Sequence, residues 1–189
     1  MKYLFIQIVL VFASIFNRIY GYEGLNLLFK FCPSVIIIAI LKKYGAEIGS
    51  NTRIKGSLLI HNADRMKPIY GNLKIGNEVY VGRNCFFDVA DKIVLGNRVS
   101  VSHNCTFNTH TDVGYSKLVN TLLPITTGPI TIGDDSYLGL NVVILENCDI
   151  GKNSIIAACT LVQKSFPDFS IIAGNPSKII GSTSKNNPD

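Results

Sequence analysis

Three histidines, His61, His103 and His110, are the side chains of this 189-residue sequence best suited to act as a general base near neutral pH. Such a base removes a proton from a group that attacks an activated carbonyl. Asp112 lies two residues after His110, close enough to orient its imidazole, although an aspartate in such a segment is also typical of a turn. The rest of the chain has to position these residues.

The cysteines predict no metal site, since no two of them form a C-x-x-C pair or a zinc-ligand spacing. Buried, reduced thiols are expected, because free cysteine is among the most buried residue types. Reduced thiols fit a reducing compartment. The five cysteines are Cys32, Cys85, Cys105, Cys148 and Cys159.

The composition predicts one domain with a short appendage, since 47% of the residues are hydrophobic and only 16% are charged. The net charge is +5, and the basic residues are scattered without a nucleic-acid motif. The excess of positive charge therefore favours an anionic small molecule or an anionic membrane surface as a partner. We expect a hydrophobic helical segment at 1–44, the main domain at 45–181, and a flexible tail at 182–189.

Two apolar segments precede the main domain. The first, Tyr3 to Phe16, is too short as a helix to cross a hydrocarbon core of ~30 Å. It is also a poor secretory signal, because no small-residue cleavage site follows Phe16. The second, Val35 to Leu41, has the flanks of a helix, with Pro33 before it and Gly45 after it. Two helices are expected, which either pack on the main domain or lie in a membrane interface.

An aliphatic residue returns every six positions in the C-terminal half, and a small or β-branched residue follows four positions after each of the first five. A period of six fits neither a helix nor a two-sided strand, but it fits a coil with three short flat faces. The unbroken register is Ile132, Leu138, Ile144, Ile150, Ile156 and Val162. The earlier coils are Ile48, Ile54 and Ile60; Ile75, Val81 and Phe87; and Leu95, Val101 and Phe107.

Two interruptions break the earlier register, one between Ile60 and Ile75 and a longer one at about 110–128. Insertions in repeat proteins lie outside the stack and commonly on the binding face. The two N-terminal helices are expected to cap one end of the stack, since each coil is buried only against its neighbours.

The pattern of an aliphatic residue, glycine and a small residue three positions on resembles that of the hexapeptide-repeat acyltransferases over about Gly45 to Gly181. Two stretches carry the resemblance, Asn104 to His110 and Pro129 to Lys178, and the latter ends in the A-G-x-P-like motif Ala173-Gly-Asn-Pro. The likeness is greatest to the galactoside, maltose and nodulation-factor sugar O-acetyltransferases and to surface-polysaccharide O-acetyltransferases. It implies an all-β, left-handed parallel β-helix, assembled as a homotrimer.

The resemblance also implies roles for individual residues. His110 matches the catalytic histidine of the family, and Asp88 stands where an asparagine holds the acceptor sugar, although a turn-capping aspartate is the alternative. His103 is expected at an outward-facing coil corner, and His61 away from the other two histidines. Tyr137 replaces a tryptophan of the donor slot. The residues matching coenzyme A contacts are Asn141, Ala158, Gln163, Lys164 and Lys178, of which the lysines could equally be solvated.

These features predict an acetyl-CoA-dependent O-acetyltransferase acting on a sugar hydroxyl in surface-polysaccharide biosynthesis. The enzyme is expected in the cytoplasm, with peripheral contact to the inner face of the membrane through its N-terminus. Amino-sugar N-acetylation is the main alternative. A zinc-dependent carbonic-anhydrase-like β-helix and a scaffold without activity are more remote, and a serine acetyltransferase would bring a larger N-terminal helical domain.

Overall fold

A computed structural model of the chain describes residues 2–63, 68–116 and 122–184. Within these ranges the chain winds through three β-sheets, which we name A, B and C, and visits them in that order in each coil. Strands of successive coils pair in parallel, so each coil lies on the preceding one. The coiled stack predicted from the period of six is confirmed.

The strands are short, as expected for the flat faces of a hexapeptide coil. Sheet A consists of β1 (Glu47–Ile48), β4 (Leu73–Ile75), β7 (Ile93–Leu95), β12 (Ile130–Ile132) and β15 (Cys148–Ile150). Sheet B consists of β2 (Arg53–Ile54), β5 (Tyr80–Val81), β8 (Ser100–Val101), β13 (Tyr137–Leu138), β16 (Ile155–Ile156), β18 (Ser170–Ala173) and β19 (Lys178–Ser182). Sheet C consists of β3 (Leu59–His61), β6 (Phe86–Asp88), β9 (Thr106–Phe107), β14 (Val143–Ile144) and β17 (Leu161–Val162). Outside the coil, β10 (His110–Thr111) pairs antiparallel with β11 (Thr126–Thr127).

The aliphatic repeat positions form the core inside the three sheets. All six members of the unbroken register, from Ile132 to Val162, are fully buried. Phe87 and Phe107 occupy this position in neighbouring coils, and their rings stack with centroids 4.6 Å apart. Burying each such side chain contributes about 1.5–3 kcal/mol, so the stack is stabilised coil by coil.

Three of the cysteines fill the small position of the repeat. Cys85, Cys105 and Cys148 are buried, whereas Cys159 is exposed. The thiol of Cys105 donates to the carbonyl oxygen of Gly139 at 3.2 Å. Burial, with the nearby charge of Glu146, raises the pKa of Cys148 to about 11. This thiol is therefore protonated at neutral pH.

The corner between sheets B and C, which we name the B/C corner, shows how closely the coils approach. Asn84, Asn104 and Asn141 lie there with φ of 58°, 60° and 58°, a left-handed conformation that asparagine tolerates well. A Cβ atom at Gly139 would lie only 2.6 Å from the backbone nitrogen of Ala158 in the next coil. Side chains at one corner of successive coils are therefore brought side by side.

Two helices precede the first coil, α1 (Lys2–Phe31) and α2 (Ser34–Lys43). The predicted start and end of α2 are confirmed, but the prediction that the first helix ends near Phe16 is wrong. Asn17 and Arg18 lie inside α1, which continues through a break at Gly21 (φ 61°, ψ −154°) to Phe31. By length and composition alone, Leu4–Phe31 could cross a membrane, which corrects the expectation that it is too short.

Side chains of both helices satisfy the backbone of the first coil. Asn26 donates from Nδ2 to the carbonyl oxygen of Ile60 at 2.8 Å, and its Oδ1 accepts from the Ile60 N–H at 3.1 Å. Asn26 thus replaces a neighbouring strand at the edge of sheet C. In sheet B, Ser34 Oγ likewise accepts a hydrogen bond from the Ile54 N–H, at 2.9 Å. The helices therefore cap the coil.

The outer face of α1 is apolar and exposed. Only 6% of the most apolar 18-residue window of this helix is buried, and residues 4–22 contain no acidic side chain. We define this face by its large exposed hydrophobic residues, which recur at helical spacing. They are Leu4, Phe5, Ile8, Val11, Phe12, Ile15 and Ile19.

Replacing Asn26 by alanine should destabilise the protein strongly. Two buried backbone groups of Ile60 would lose their partner, at about 1–3 kcal/mol for each. Gln7→Ala, at an exposed position of the same helix, should change stability little. The measurement is the free energy of unfolding in urea. Equal values for the two variants would show that Asn26 does not cap sheet C.

Candidate active site

His110 lies at the corner where sheet C leads back to sheet A, which we name the C/A corner. The chain leaves the coil here through β10, returns through β11, and resumes sheet A with Ile130 paired to Ile93. The predicted insertion at 110–128 therefore begins at the candidate base and leaves the stack intact. Residues 117–121 of this insertion lie outside the described residues.

The carboxylate of Asp88 is fully buried beneath His110. His110 Nδ1 lies 2.5 Å from Asp88 Oδ2, and Asn62 donates from Nδ2 to Asp88 Oδ1 at 2.6 Å. Thr109 donates to Oδ2 from both its main-chain N–H and its hydroxyl, each at 3.0 Å. Both carboxylate oxygens are thus satisfied within the protein. This placement corrects the expectation that Asp88 contacts an acceptor, since the carboxylate is not accessible.

The environment of Asp88 favours its ionised form. Burial acts to raise the pKa of Asp88, but hydrogen bonds from Asn62 and His110 outweigh this effect and hold the pKa below its usual value. An ionised carboxylate can only accept hydrogen bonds, so the proton of a neutral His110 imidazole lies on Nδ1. Nε2 is left as the basic nitrogen, which is the arrangement that a general base requires.

His61 lies beside His110, not away from it. Their rings stack with centroids 6.5 Å apart, and the His61 ring also stacks on Phe86 at 6.1 Å. The expectation of a remote His61 is wrong because β3 pairs with β6, which places His61 opposite Asp88. The residues inserted after the first coil lie outside the paired strands and leave the register of β3 and β6 unchanged.

The sequence contains a pattern that could have predicted this cluster, namely polar residues at one position of the repeat. His61, Asp88 and Asn108 each directly follow the buried residue that ends a coil, namely Ile60, Phe87 and Phe107. Polar residues that recur at this position in three successive coils meet at one corner. The amide of Asn108 also donates to the His110 carbonyl oxygen, at 2.6 Å.

Glu146, which the sequence did not single out, holds the base of the insertion. Its Oε1 accepts hydrogen bonds from the hydroxyls of Thr111 in β10 and Thr126 in β11, both at 2.9 Å. Its Oε2 is buried without a hydrogen-bond partner among the described residues. Glu146 therefore links both strands of the insertion to the fourth coil. One of these links is at Thr111, the residue that follows His110.

The remaining candidates near the histidines have structural contacts. His103 is exposed at the B/C corner, as expected, and its Nδ1 accepts from the Arg83 N–H at 2.8 Å. Asp112 accepts from the Gly114 N–H at 2.7 Å, so it caps a turn, and Asp88 lies against the imidazole instead. Within the described ranges, no group of three or more histidine, cysteine or acidic side chains could hold a metal ion.

The five residues predicted to contact coenzyme A do not form one cluster. Gln163 and Lys164 follow β17 and thus share the C/A corner with His110. Asn141 and Ala158 lie at the B/C corner, at the opposite edge of sheet C. Lys178 begins β19 in sheet B. All five are exposed, and Tyr137, which was expected to line the same slot, bonds through its hydroxyl to Ser102 Oγ at 3.1 Å.

Comparison with known proteins identifies the repeat. Residues 129–164 match the family model of the bacterial transferase hexapeptide (six repeats). Over 120 residues the chain is 40% identical to a presumptive acetyltransferase of Staphylococcus aureus strain Mu50, covering 59% of this chain and 56% of that protein. Residues 129–164 thus carry a hexapeptide repeat of the kind that this family model describes. The chain spans little more than half the length of this relative.

Solved structures share the fold of this hexapeptide-repeat chain. A hexapeptide-repeat acetyltransferase from Vibrio cholerae, also solved with acetyl coenzyme A, superposes with a TM-score of 0.74 at 20% identity and covers 86% of this chain and 89% of its own. A galactoside acetyltransferase solved with coenzyme A superposes with a TM-score of 0.63 at 23% identity, covering 86% of this chain and 78% of its own. At these identities the likeness establishes the fold alone.

The lowered pKa of Asp88 predicts how its contribution to stability depends on pH. The folded state favours the carboxylate, so its contribution is fully present above the ordinary aspartate pKa of about 3.9 and is lost as the pH falls through the lowered folded-state value. Asp88→Asn should therefore unfold at a lower temperature than the wild type at pH 7, and the difference should shrink below about pH 4.

The control is Asp149→Asn, which alters an exposed aspartate on sheet A. Thermal unfolding followed by circular dichroism from pH 2 to pH 7 gives the comparison. A difference between wild type and Asp88→Asn that stays constant over this range would contradict an ionised Asp88 in the folded state.

Proposed function

We propose that this chain is an acetyl-CoA-dependent acetyltransferase that acylates a sugar hydroxyl, with His110 as the general base. The observation that carries this proposal is the 2.5 Å contact of His110 Nδ1 with the buried Asp88 carboxylate. It leaves Nε2, for which the described residues provide no hydrogen-bond partner, available to a substrate. The acetyltransferases reported above, two of them solved with acetyl coenzyme A or coenzyme A, support the choice of donor.

In the proposed reaction, His110 Nε2 takes the proton of the acceptor hydroxyl as its oxygen attacks the thioester carbonyl carbon. The carbon–sulfur bond breaks, and His110 returns the proton to the leaving sulfur. Asp88 is a positioning residue, since it keeps the Nδ1 proton in place and stabilises the imidazolium that forms. General-base catalysis of this kind is worth about 10²–10⁴-fold in rate.

The donor is proposed to lie along sheet C. Lys164 and Lys178 carry charges that would pair with the phosphate groups of coenzyme A, and Gln163 lies on the His110 side of the same sheet. Asn141 and Ala158 border its other edge. We propose a left-handed coil assembled as a homotrimer, in which the exposed residues at the two edges of sheet C face neighbouring subunits and complete the slot.

Replacing His110 by alanine should lower kcat about 10²–10⁴-fold, because the variant loses the imidazole that the buried Asp88 carboxylate orients. His103→Ala is the matched control, since His103 lies at the B/C corner. The measurement is acetyl transfer from acetyl-CoA to a panel of sugars and amino sugars, with circular dichroism to verify folding. Equal rates in wild type and His110→Ala would exclude this mechanism, and preferential acetylation of amino sugars would favour N-acetylation.

The acceptor is proposed to be a precursor of a surface polysaccharide, met by a cytoplasmic enzyme at the inner face of the membrane. The outer face of α1 supports this location, because it exposes large apolar side chains and residues 4–22 contain no acidic side chain. Three exposed cations of the two helices, Arg18, Lys30 and Lys42, would attract anionic headgroups at about 1 kcal/mol each.

Ile8→Glu combined with Ile15→Glu should abolish binding to vesicles of anionic phospholipid, since it places charges on the outer face of α1. These two side chains are exposed, so the fold should persist, whereas deletion of both helices would uncover the core. Gln7→Glu is the matched control on the same helix. Co-sedimentation with vesicles is the measurement, and undiminished sedimentation of the double variant would exclude docking through this face. Loss of self-association instead would identify a second copy as its partner.

A further inference from the structure

A basic cleft lies where the helical cap meets the first two coils. The cleft has a volume of about 310 Å³, and Lys30, Lys55 and Arg83 line it. None of the three forms an ion pair with a described residue, and no acidic side chain of the described chain lines the cleft. Three like charges around one concavity create a positive potential that an anion would offset.

The cleft is assembled by close packing of α1 on the B/C corner. Gly56 follows Lys55, and a Cβ atom there would lie 3.3 Å from the Phe29 carbonyl oxygen and 3.4 Å from that of Lys30. The Ser57 N–H donates to the same Phe29 oxygen at 3.0 Å. The end of α1 is thus anchored to this corner, which holds Lys30 beside Lys55. Arg83 comes from the same corner of the next coil.

An apolar surface connects this cleft with the candidate base. A second cavity of about 380 Å³ shares Lys30 and is lined by Leu59 and Phe86 on the outer side of sheet C. Beyond it, the His61 ring stacks on both Phe86 and His110. From Arg83 to Asp88 the chain crosses sheet C once, a distance on the order of 15 Å at ~3.3 Å per residue.

We infer that the cleft of Lys30, Lys55 and Arg83 binds a phosphate or diphosphate group of the acceptor. This inference rests on the proposed function and narrows it to sugars linked to phosphate. The acceptor lies along Leu59 and Phe86, with its phosphate in the cleft and its reacting hydroxyl at His110. Arg83 can form paired hydrogen bonds with phosphate oxygens, and the lysines contribute point charges. Both nucleotide-linked and lipid-linked sugars present this chemistry.

The first test measures binding without catalysis. Isothermal titration of the full chain with inorganic pyrophosphate should give a dissociation constant at least about tenfold weaker for Lys55→Glu/Arg83→Glu than for the wild type. Lys74→Glu/Lys92→Glu makes the same change in net charge at exposed positions of sheet A and just before one of its strands, away from the cleft, and should bind within about twofold of the wild type. Equal affinities in all three proteins, or no binding by the wild type, would overturn the inference.

The second test identifies the source of the phosphate. The acceptors are a free sugar, the same sugar linked to a nucleotide diphosphate, and the same sugar linked to a polyprenyl diphosphate. Lys55→Glu/Arg83→Glu should raise KM about tenfold or more for the preferred phosphorylated acceptor, with kcat and the KM for acetyl-CoA nearly unchanged. A KM that rises equally for the free sugar would overturn the inference. Pyrophosphate binding in the cleft without transfer to any acceptor would uphold the anion site and count against the proposed function.

Discussion

Hydrogen bonding between the backbones of successive coils is the interaction on which the rest of this structure depends. Each strand is only two to five residues long and has no stability of its own, so its N–H and C=O groups need the coil before and the coil after. The last coil is closed by the antiparallel pair of β18 and β19. At the first coil, Asn26 and Ser34 supply the missing partners. The helical cap is therefore part of the fold and not an appendage.

The same stacking produces the candidate active site. Because successive coils stay in register, the residues that follow Ile60, Phe87 and Phe107 converge at the C/A corner, although they lie far apart in the sequence. A buried carboxylate is costly unless its oxygens are hydrogen-bonded, and Asn62, Thr109 and His110 supply these bonds to Asp88. The His110 imidazole is thus positioned by its hydrogen bond to the buried Asp88 carboxylate.

The period of six made much of this fold predictable. The core positions, the small companion residues, the second helix and the location of His110 at the start of an insertion all follow from the sequence. Asp88 was assigned the wrong contact because a corner residue can point outward to a ligand or inward beneath a neighbour, and spacing does not distinguish the two. His61 was misplaced because the interruption after Ile60 hides the pairing of β3 with β6. The length of α1 was missed because Asn17 and Arg18 resemble the end of a helix, although a solvated polar pair is tolerated within one.

The insertion at His110 satisfies two opposed requirements. A base that acts on a bulky acceptor must reach the surface, yet its partner carboxylate has to stay buried to keep its hydrogen bonds. Leaving the coil at a corner achieves both, since sheet A resumes beside β7 without a gap in the stack. Glu146 then fixes β10 and β11 to the fourth coil through Thr111 and Thr126. His110, with its side chain 15% exposed, is held from below by the second coil and from the side by the fourth. Its orientation thus depends on coils on both sides of its own, which a shift of register in either one would disturb.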